Sequence, residues 1–356
     1  MTRTLRPLRT TRLLSGAAAV ALVSLSLAGC AETGGSDPKK LTVSTFGFGA
    51  DQFEKTVVEP FEKKTGIKVT VETGANADRL TKLRVNKANP TTDVVMITDL
   101  FAAMGQKQGL FEKIDPKKIP NLAKIHDFAR STDGYGPAYT YQLLGTLYRT
   151  DRFAEPPTMK DLWDAEHKGK VAVPDMSTSA GMPFLEAVSA TYGTGPKDSD
   201  AGFEKLSDLK PNVLKYFNRS TELVSLLERG EVDMAPGLDL FAVDPVKSGK
   251  PLAWAPFDKG RYVAANTAQI VKGSGNKAGA EKFIDYLLSA DVQEKAAATF
   301  DDKPVNKDAE LPESIAKVSG KAASDPAAAG FTSLDLDYAV AHNDEWVDRF
   351  QREVSG

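Results

Sequence analysis

Residues 175–181 bring one carboxylate, that of Asp175, close in sequence to the hydroxyl groups of Ser177, Thr178 and Ser179. A carboxylate forms a short, charge-assisted hydrogen bond with an ammonium group. Hydroxyl groups ahead of a helix suit an anion instead, because the first backbone N–H groups of that helix are unpaired. Ordinary capping of the helix is a third interpretation. The segment therefore predicts a cation site, an anion site or a helix cap.

The flanking segments place these residues at the edge of a sheet. Residues 170–174 (KVAVP) are apolar after the lysine and predict a strand, and residues 182–192 predict a helix. Ligands bind at the carboxyl ends of the strands in open α/β sheets. We therefore expect residues 175–181 to line a ligand cleft.

Two more loops follow predicted strands in the first part of the chain. Phe46 and Phe48 come after the alternating segment 41–45, and Asp99 comes after the apolar segment 93–97. We expect the two rings to contact a ligand or to join the core. Asp99 is expected to contact the ligand or to cap the following helix.

A fourth loop and a helix start add two charged candidates. Asp239 follows the predicted strand 232–236, and Arg219 begins a predicted helix. Each is expected either to face the cleft or to lie in solvent, where Arg219 would pair with surface acids.

The order of the predicted elements defines an α/β protein with parallel sheets. Strands and helices alternate in each half of the chain. In the first half the predicted strands are 41–45, 67–72 and 93–97 and the helices are 52–65, 79–87 and 99–109. In the second half the strands are 170–174, 213–217 and 232–236 and the helices are 182–192 and 222–229. Residues 135–150 are expected to cross between the halves, residues 264–271 to return, and residues 278–288 to form an amphipathic helix.

The beginning of the chain predicts export. Four arginines precede an uncharged apolar run at residues 13–27, and Cys30, the single cysteine, follows Leu27-Ala28-Gly29. This pattern is typical of a bacterial secretion signal at 1–29, and the run is short for a membrane-spanning helix, which remains the alternative. Residues 30–40 are small and polar and predict a flexible tether.

Length and composition exclude several functions. The sequence has 356 residues and a formal net charge of −3. Without residues 1–29 it loses four arginines and no acids, so its net charge would be about −7. We expect two lobes and no nucleic-acid partner. Three histidines without metal-ligand spacing and the absence of nucleophile or phosphate-loop motifs argue against an enzyme, a metal site or a cofactor.

Six short segments in order resemble the polyamine-type branch of the solute-binding proteins that serve ATP-driven (ABC) importers. The segments are PFEKKTGIKV at 60–69, DVV at 93–95, GLFEKID at 109–115, DLWDAEHKGK at 161–170, GEVD at 230–233 and NKAGAEKFIDYLL at 276–288. The tetrad ending at Cys30 resembles a bacterial lipobox, which implies cleavage before Cys30 and its diacylation. The resemblance implies a type II periplasmic-binding-protein fold: residues 41–138 and 265–308 form lobe one, and 139–264 and 309–356 form lobe two.

The resemblance also implies function and partners. It implies a monomer that is anchored by lipid to the outer face of the cytoplasmic membrane, or is periplasmic. This monomer would deliver a small solute to permease subunits, and a polyamine or another small organic cation is the favoured solute. Asp175 matches the position that meets a ligand ammonium, and Tyr141 lies on a crossing segment. The returning segment departs from the family, because Ala264 and Asn266 replace an aromatic ring and an acid unless Tyr262 supplies the ring. Ferric ion, thiamine or a phosphonate is the alternative ligand of the same fold, and a surface adhesin is a further alternative.

Overall fold

The structure, a computed structural model, describes residues 37–131 and 133–356. Cys30 and the predicted signal lie outside the described residues. Within that part of the chain, twelve strands join in one hydrogen-bonded arrangement. The strands are β1 Lys40–Thr45, β2 Lys68–Thr73, β3 Val94–Thr98, β4 Phe111–Glu112, β5 Ala138–Arg149, β6 Val171–Pro174, β7 Val213–Phe217, β8 Met234–Leu238, β9 Leu252–Pro256, β10 Tyr262–Val271, β11 Lys303–Pro304 and β12 Thr332–Ser333. The helices are α1 Ala50–Phe53, α2 Glu59–Thr65, α3 Asn76–Val85, α4 Asp99–Lys107, α5 Gly181–Tyr192, α6 Ser199–Asp208, α7 Ser220–Glu228, α8 Leu240–Lys247, α9 Lys277–Leu287, α10 Ala290–Phe300, α11 Glu313–Ser319 and α12 Leu336–Arg349.

The first lobe is built on the strand order β2-β1-β3-β10-β5. β1 runs parallel to β2 and to β3, and β10 runs antiparallel to β3 and to β5. A π-helical segment, Glu54–Val58, joins α1 to α2, so that the predicted helix is continuous up to Gly66. Gly66 adopts a φ of 73°, a left-handed conformation that favours glycine and ends the helix there.

The second lobe continues the order as β5-β8-β6-β7. β6 is parallel to β7 and to β8, whereas β8 and β9 both run antiparallel to β5. The carboxyl ends of β6 and β8 therefore meet the same edge, as the sequence predicted for residues 175–181 and 239.

β5 is the strand that connects the two lobes. Its first half pairs with β10, from Ala138 to Leu143, and its second half pairs with β8 and β9, from Leu144 to Arg149. Every residue of β5 except Arg149 is buried. β10 returns the chain beside it, which confirms the predicted two-lobed α/β fold with two crossing segments.

The hydrophobic core continues through this connection. Leu41, Val43 and Phe61 of the first lobe belong to one cluster with Leu147 and Phe217 of the second. A separate cluster fills the other side of the second lobe and includes Phe184 and Phe203.

The end of the chain packs onto the second lobe. Trp346, Phe350 and Val354 are fully buried in the cluster that holds Phe184 and Phe203. α12 also contacts α4 of the first lobe, so it spans the two lobes. The sequence did not predict α6, α8, α10, α11 or α12, and the predicted loop 322–330 begins within a 3₁₀ turn, Gly320–Ala323.

Candidate functional site

Loops from both lobes meet in a hollow between β3 and β6. Thr98 and Asp99 come from the first lobe, and Ser177, Thr178 and Ser179 come from the second. Ala264 of β10 also lines the hollow. The structure thus brings together four of the residues that the sequence predicted as ligand contacts.

Asp99 is the acidic group of this hollow. It is the first residue of α4, and Thr98, which occupies the cap position, makes no side-chain cap bond. Its Oδ1 accepts the N–H of Leu100 at 2.8 Å, and its Oδ2 accepts the N–H of Ala265 at 3.2 Å. Burial raises the pKa of Asp99 to about 6 even though these bonds favour the charged form. The carboxylate is therefore mostly ionised at neutral pH.

Asp175 shapes the opposite wall of the hollow. Its Oδ1 accepts the N–H and the hydroxyl of Ser177, at 2.9 and 2.6 Å, and its backbone carbonyl accepts the hydroxyl of Thr178 at 2.8 Å. Ala180 is the cap residue of α5 and makes no side-chain cap bond, so Asp175 does not cap that helix. The carboxylate holds the serine loop in place, and its contact with a ligand stays a prediction.

The two phenylalanines of the first loop stand beside the cleft and are not core residues. Phe46 is half-buried and Phe48 is 76% exposed, and both line a second hollow. The guanidinium of Arg79 lies 4.7 Å from the centre of the Phe46 ring, a cation–π distance.

Arg79 is a buried residue that the sequence did not predict as part of the site. It donates to the carbonyls of Met96 at 2.5 Å and Ser44 at 3.4 Å and to Asn76 Oδ1 at 2.8 Å. Burial lowers the pKa of Arg79 to about 10, which leaves it charged at neutral pH. Its bonds fix the carboxyl ends of β1 and β3, the strands that carry the Phe46 loop and Asp99.

Asp239 occupies a different environment from the predicted one. It is fully buried and forms an ion pair with Lys303, whose side chain is also fully buried. Its Oδ1 accepts the N–H of Leu143 at 3.0 Å, and its Oδ2 accepts the hydroxyl of Ser319 at 2.5 Å. Both interpretations made from the sequence, a ligand contact and a solvated carboxylate, fail here because Lys303 takes the place of a ligand cation.

Three more predicted residues lie outside the hollows. Tyr141 is fully buried and donates its hydroxyl to the carbonyl of Ala323 at 2.8 Å, so it is a core residue. Tyr262 is 5% exposed and hydrogen-bonds Glu186 in the second lobe, so it does not replace the missing ring in the cleft. Arg219 is exposed and lines a shallow surface depression with Lys215.

Asn266 of β10 is not among the residues that line either of the two hollows. It pairs with Thr98 on one side and with Thr140 on the other, and it is half-buried. Thr140 in turn lines the second hollow, beside Asp302. The sequence did not predict Asp302, because the pairing of β11 with β5 involves only two residues.

Two further observations concern metals and membranes. Residues 37–131 and 133–356 contain no group of three or more His, Cys, Asp or Glu side chains arranged to hold a metal ion. In the same residues no helix combines the length and the apolar character needed to cross a membrane.

This arrangement of two α/β lobes around a cleft with polar loops defines a binding protein for small solutes. The chain belongs to the bacterial extracellular solute-binding protein family, whose profile matches residues 56–329. Proteins of this family capture solutes outside the cytoplasm and serve ABC importers, and this chain is such a protein.

Individual relatives agree with this assignment. The chain is 28% identical over 254 residues to the spermidine/putrescine-binding periplasmic protein of Salmonella typhimurium, covering 68% of this chain and 72% of that protein. It is 25% identical over 345 residues to the γ-aminobutyric acid-binding protein of Pseudomonas aeruginosa, covering 93% of this chain and 94% of that protein. The crystal structure of an ABC transporter from Clostridium perfringens matches with a TM-score of 0.77 and 34% identity, covering 88% of this chain and 99% of that one.

Proposed function

We propose that the protein captures a small organic cation in the cleft and delivers it to the permease subunits of its ABC importer, without catalysing a reaction. The observation that carries the choice of charge is Asp99. Among the described residues no cationic side chain forms an ion pair with it. Burial raises its pKa, which means that the charged form is destabilised in the ligand-free protein. A desolvated carboxylate without a counter-ion is costly, and a ligand ammonium would offset that cost.

The names of the relatives support an amine as ligand. Spermidine, putrescine and γ-aminobutyric acid all carry an aliphatic amino group, which is cationic at neutral pH. The curated relatives are named for these compounds. Polyamine binding remains a proposal, since Ala264 and Asn266 lack the ring and the acid that the polyamine branch carries there.

A zwitterionic amino compound is the second candidate. Ser177 and Ser179 are exposed and line the Asp99 hollow from the other lobe. The hydroxyl of Ser177 already donates to Asp175, so the hydroxyl of Ser179 would bind an anionic end of the ligand while Asp99 binds the cationic end. Ferric ion is less well supported, because residues 37–131 and 133–356 hold no group of three or more acids or other metal ligands arranged around one ion. A phosphonate is less well supported because the carboxylate of Asp99 would repel it, whereas thiamine carries a cationic ring and falls within the class of organic cations.

We further propose that ligand binding closes the two lobes as units: residues 41–138 and 265–308 against residues 139–264 and 309–356. The hollow at Asp99 takes side chains from both, so that a bound solute would hold them together. Small-angle scattering should show compaction at saturating ligand. Unchanged scattering would exclude a hinged cleft.

Membrane attachment is proposed through diacylated Cys30, with the protein monomeric. Two acyl chains give stable anchoring. The tether that the sequence predicts for residues 30–40 would end one residue earlier than predicted, because β1 begins at Lys40. The Cys30→Ser variant should appear in the soluble fraction of salt-washed cells. Retention of that variant in the membrane would contradict the lipid anchor.

Asp99→Asn tests the proposed charge of the ligand directly. Calorimetry with a panel of amines, γ-aminobutyric acid and 2-aminoethylphosphonate would identify the ligand, and Asp99→Asn should then weaken binding roughly ten- to a hundredfold. Asp78→Asn is the matched control, because Asp78 is an exposed acid on neighbouring α3. The variant amide cannot accept both N–H groups that the carboxylate accepts, so the melting temperature is measured alongside. Unchanged affinity in a folded Asp99→Asn variant would refute the cation site.

A further inference from the structure

The edge of the first lobe that lies opposite the cleft is rich in lysine. The amino ends of β1, β2 and β3 and the carboxyl end of β10 meet there, because the first three strands are parallel and β10 runs against them. We call this surface the basal edge and define it as residues 37–40, 62–68, 86–93, 107–113 and 271–277. These segments contain ten lysines, no arginine and four acids, a net charge of +6. The chain without residues 1–29 has a net charge of about −7, so the basal edge is opposite in sign to the rest.

Contacts between the segments place the lysines on one continuous surface. Lys40 of β1 is paired with Lys68 of β2, so their side chains start from neighbouring positions. The side chain of Asn276 donates to the carbonyl of Lys40 at 2.8 Å. Lys277, the next residue, donates to the carbonyl of Lys113 at 3.0 Å. The segments that end β10 and begin β1 therefore lie side by side.

The same surface continues below β3. The backbone N–H of Lys272 donates to the carbonyl of Leu110 at 2.9 Å, which joins the end of β10 to segment 107–113. Lys87 donates to the carbonyl of Gln108 at 2.7 Å, which joins segment 86–93 to the same place. Three strand spacings of roughly 4.8 Å separate β2 from β10, so the row of lysines extends over about 14 Å.

Most of these lysines face solvent without an acidic partner. Nine of the ten are exposed, and Lys277 is half-buried. Three of the four acids neutralise one lysine each, in the pairs Asp37–Lys40, Glu62–Lys68 and Glu112–Lys277. The fourth, Asp93, accepts the N–H of Thr42 and the hydroxyl of Ser274. Within the described part of the chain, seven lysines form no ion pair: Lys39, Lys63, Lys64, Lys87, Lys107, Lys113 and Lys272.

The fold accounts for only part of this charge. Lys63 and Lys64 lie in the last turn of α2, where a cation interacts favourably with the helix dipole. Lys277 is the first residue of α9, the end at which a cation is unfavourable. Lys40 and Lys68 bring like charges together across two strands, which also costs stability. The basal edge is therefore more basic than folding requires.

The composition of the basal edge suits a lipid surface better than a protein surface. The centres of protein interfaces are rich in aromatic residues, Met and Arg and poor in Lys. The basal edge has lysine as its only cation, and its segments include none of the large apolar side chains that are exposed in the described residues, although Val85 borders segment 86–93. A lysine ammonium is a compact point charge on a flexible stem, which suits a fluid layer of phosphate groups without fixed geometry.

The chain towards Cys30 leaves from this edge. Lys40 begins β1, whereas Phe46 and Asp99, which stand beside the cleft, follow the other ends of β1 and β3. The six residues of β1, at roughly 3.3 Å each, separate the two ends by about 20 Å. Residues 30–39 span at most about 35 Å. An anchor at Cys30 therefore keeps the basal edge within reach of the membrane but does not fix the orientation of the lobes.

We propose that the basal edge binds the anionic head groups of the membrane to which the protein is tethered, and thereby turns the cleft away from the membrane. This proposal rests on the lipid anchor of the proposed function. The anchor sets the distance of the protein from the membrane, and the lysines set its orientation. In that orientation the cleft is open to solute on the side away from the lipid.

Co-sedimentation with vesicles tests the surface without the anchor. The described residues form one compact unit, so the chain from residue 31 keeps the fold and lacks the cysteine. It should bind at least about tenfold more tightly to vesicles of phosphatidylglycerol and phosphatidylcholine than to phosphatidylcholine alone in about 20 mM NaCl. The preference should largely disappear in about 300 mM NaCl, because salt screens exposed charges. Equal binding to both kinds of vesicle would overturn the proposal.

A triple variant locates the binding surface. Lys40→Gln/Lys68→Gln/Lys272→Gln should weaken binding to the anionic vesicles roughly ten- to a hundredfold. Its melting temperature should stay close to that of the wild type, since exposed ion pairs contribute little to stability. The matched control replaces three exposed lysines of the second lobe, Lys160→Gln/Lys168→Gln/Lys250→Gln. An equal loss in the control would show that total charge matters and that the basal edge has no special part.

The orientation is tested on the anchored protein. The chain from Cys30 is coupled through its only thiol to a maleimide lipid, which stands in for the acyl chains, and its lysines are acylated by a soluble reagent and quantified by mass spectrometry. Lys39, Lys68 and Lys272 should react about threefold or more slowly on anionic vesicles than on neutral ones. Lys160 and Lys250 should react equally on both. Protection of all five, or of none, would refute the orientation.

The outcomes separate this surface from the proposed function. Loss of the preference for anionic vesicles, with Cys30→Ser still released from salt-washed cells, would overturn the basal edge and leave the anchor standing. Retention of Cys30→Ser in the membrane would overturn the anchor, while the free chain would still report on the basal edge. Amine affinity should be the same in the triple variant and in its control, because neither set of lysines lines the hollows.

Discussion

Two kinds of carboxylate lie beside the crossing strands of the cleft. Asp239, after β8, is fully buried and paired with Lys303 inside the protein. Asp99, after β3, accepts hydrogen bonds from the backbone N–H groups of Leu100 and Ala265. Asp302, before β11, accepts a hydrogen bond from the side chain of Gln142. Lys303 balances the charge of Asp239 within the protein, whereas no cationic side chain among the described residues forms an ion pair with Asp99 or Asp302.

The difference shows that position relative to the sheet does not decide whether an acid binds ligand. All three acids lie near the crossing strands, and the sequence marks Asp99 and Asp239 equally as residues that follow a strand. Whether an acid is free to bind a ligand depends on whether a cationic side chain already pairs with it. The partner of Asp239 is Lys303 of β11, which is distant in sequence and adjacent in space. Removing one partner of a buried ion pair destabilises the fold, because the other charge stays buried without a counter-ion. A carboxylate that has no cationic partner inside the protein leaves no such charge behind when it is replaced.

The largest effect is expected from breaking the internal pair. Asp239→Asn should lower the free energy of unfolding by roughly 3–5 kcal/mol, because it leaves the Lys303 ammonium buried without a counter-ion. Urea unfolding measures the change. The double variant Asp239→Asn/Lys303→Met should recover much of the loss, since it removes the second charge too. A single variant as stable as the wild type would show that Asp239 belongs with the ligand-binding acids.

A pH titration should separate the two kinds of acid by a smaller effect. Burial raises the pKa of Asp99 and of Asp302 to about 6, above the ordinary 3.8. The ligand-free protein therefore binds protons more tightly folded than unfolded. Their contribution to its stability should rise as pH falls through 6 towards 4, while amine affinity should fall over the same range.

Thermal melting and calorimetry between pH 7 and pH 5 check both trends. Glu186, whose pKa burial raises to about 7, adds to the stability trend from within the second lobe. The Asp99→Asn variant should therefore lose most of the pH dependence of binding but keep part of the stability trend. Amine affinity that is independent of pH in the wild type would contradict the assignment of Asp99 to the ligand.

The smallest effect is expected at Asp175. Asp175→Asn retains an acceptor for the N–H and the hydroxyl of Ser177, so the loop should hold its shape and amine affinity should change by no more than about threefold. Asp175→Ala removes the acceptor and should weaken binding further by loosening the loop. An Asn variant as impaired as Asp99→Asn would instead establish Asp175 as a direct ligand contact, as the family resemblance implies.

Local patterns in the sequence predicted the frame of the site. Alternating and apolar segments located β1, β3, β6 and β8, and the loops after them include Phe46, Asp99 and Ser177–Ser179 at the hollows. Asp302 escaped prediction because it follows α10, which was not predicted, and precedes a two-residue strand without periodicity. Tyr141 and Tyr262 were misplaced, because a sequence shows that a side chain lies on a crossing strand but not which partners cover it.

The burial of β5 has a consequence for how the protein unfolds. One strand supplies hydrogen-bond partners to β10 in one lobe and to β8 and β9 in the other, so neither lobe keeps a complete sheet when the strand detaches. The lobes would therefore melt in a single cooperative transition rather than one after the other. In native-state hydrogen exchange, the amides of residues 140–147 should be the last to acquire deuterium, at a rate set by opening of the whole molecule.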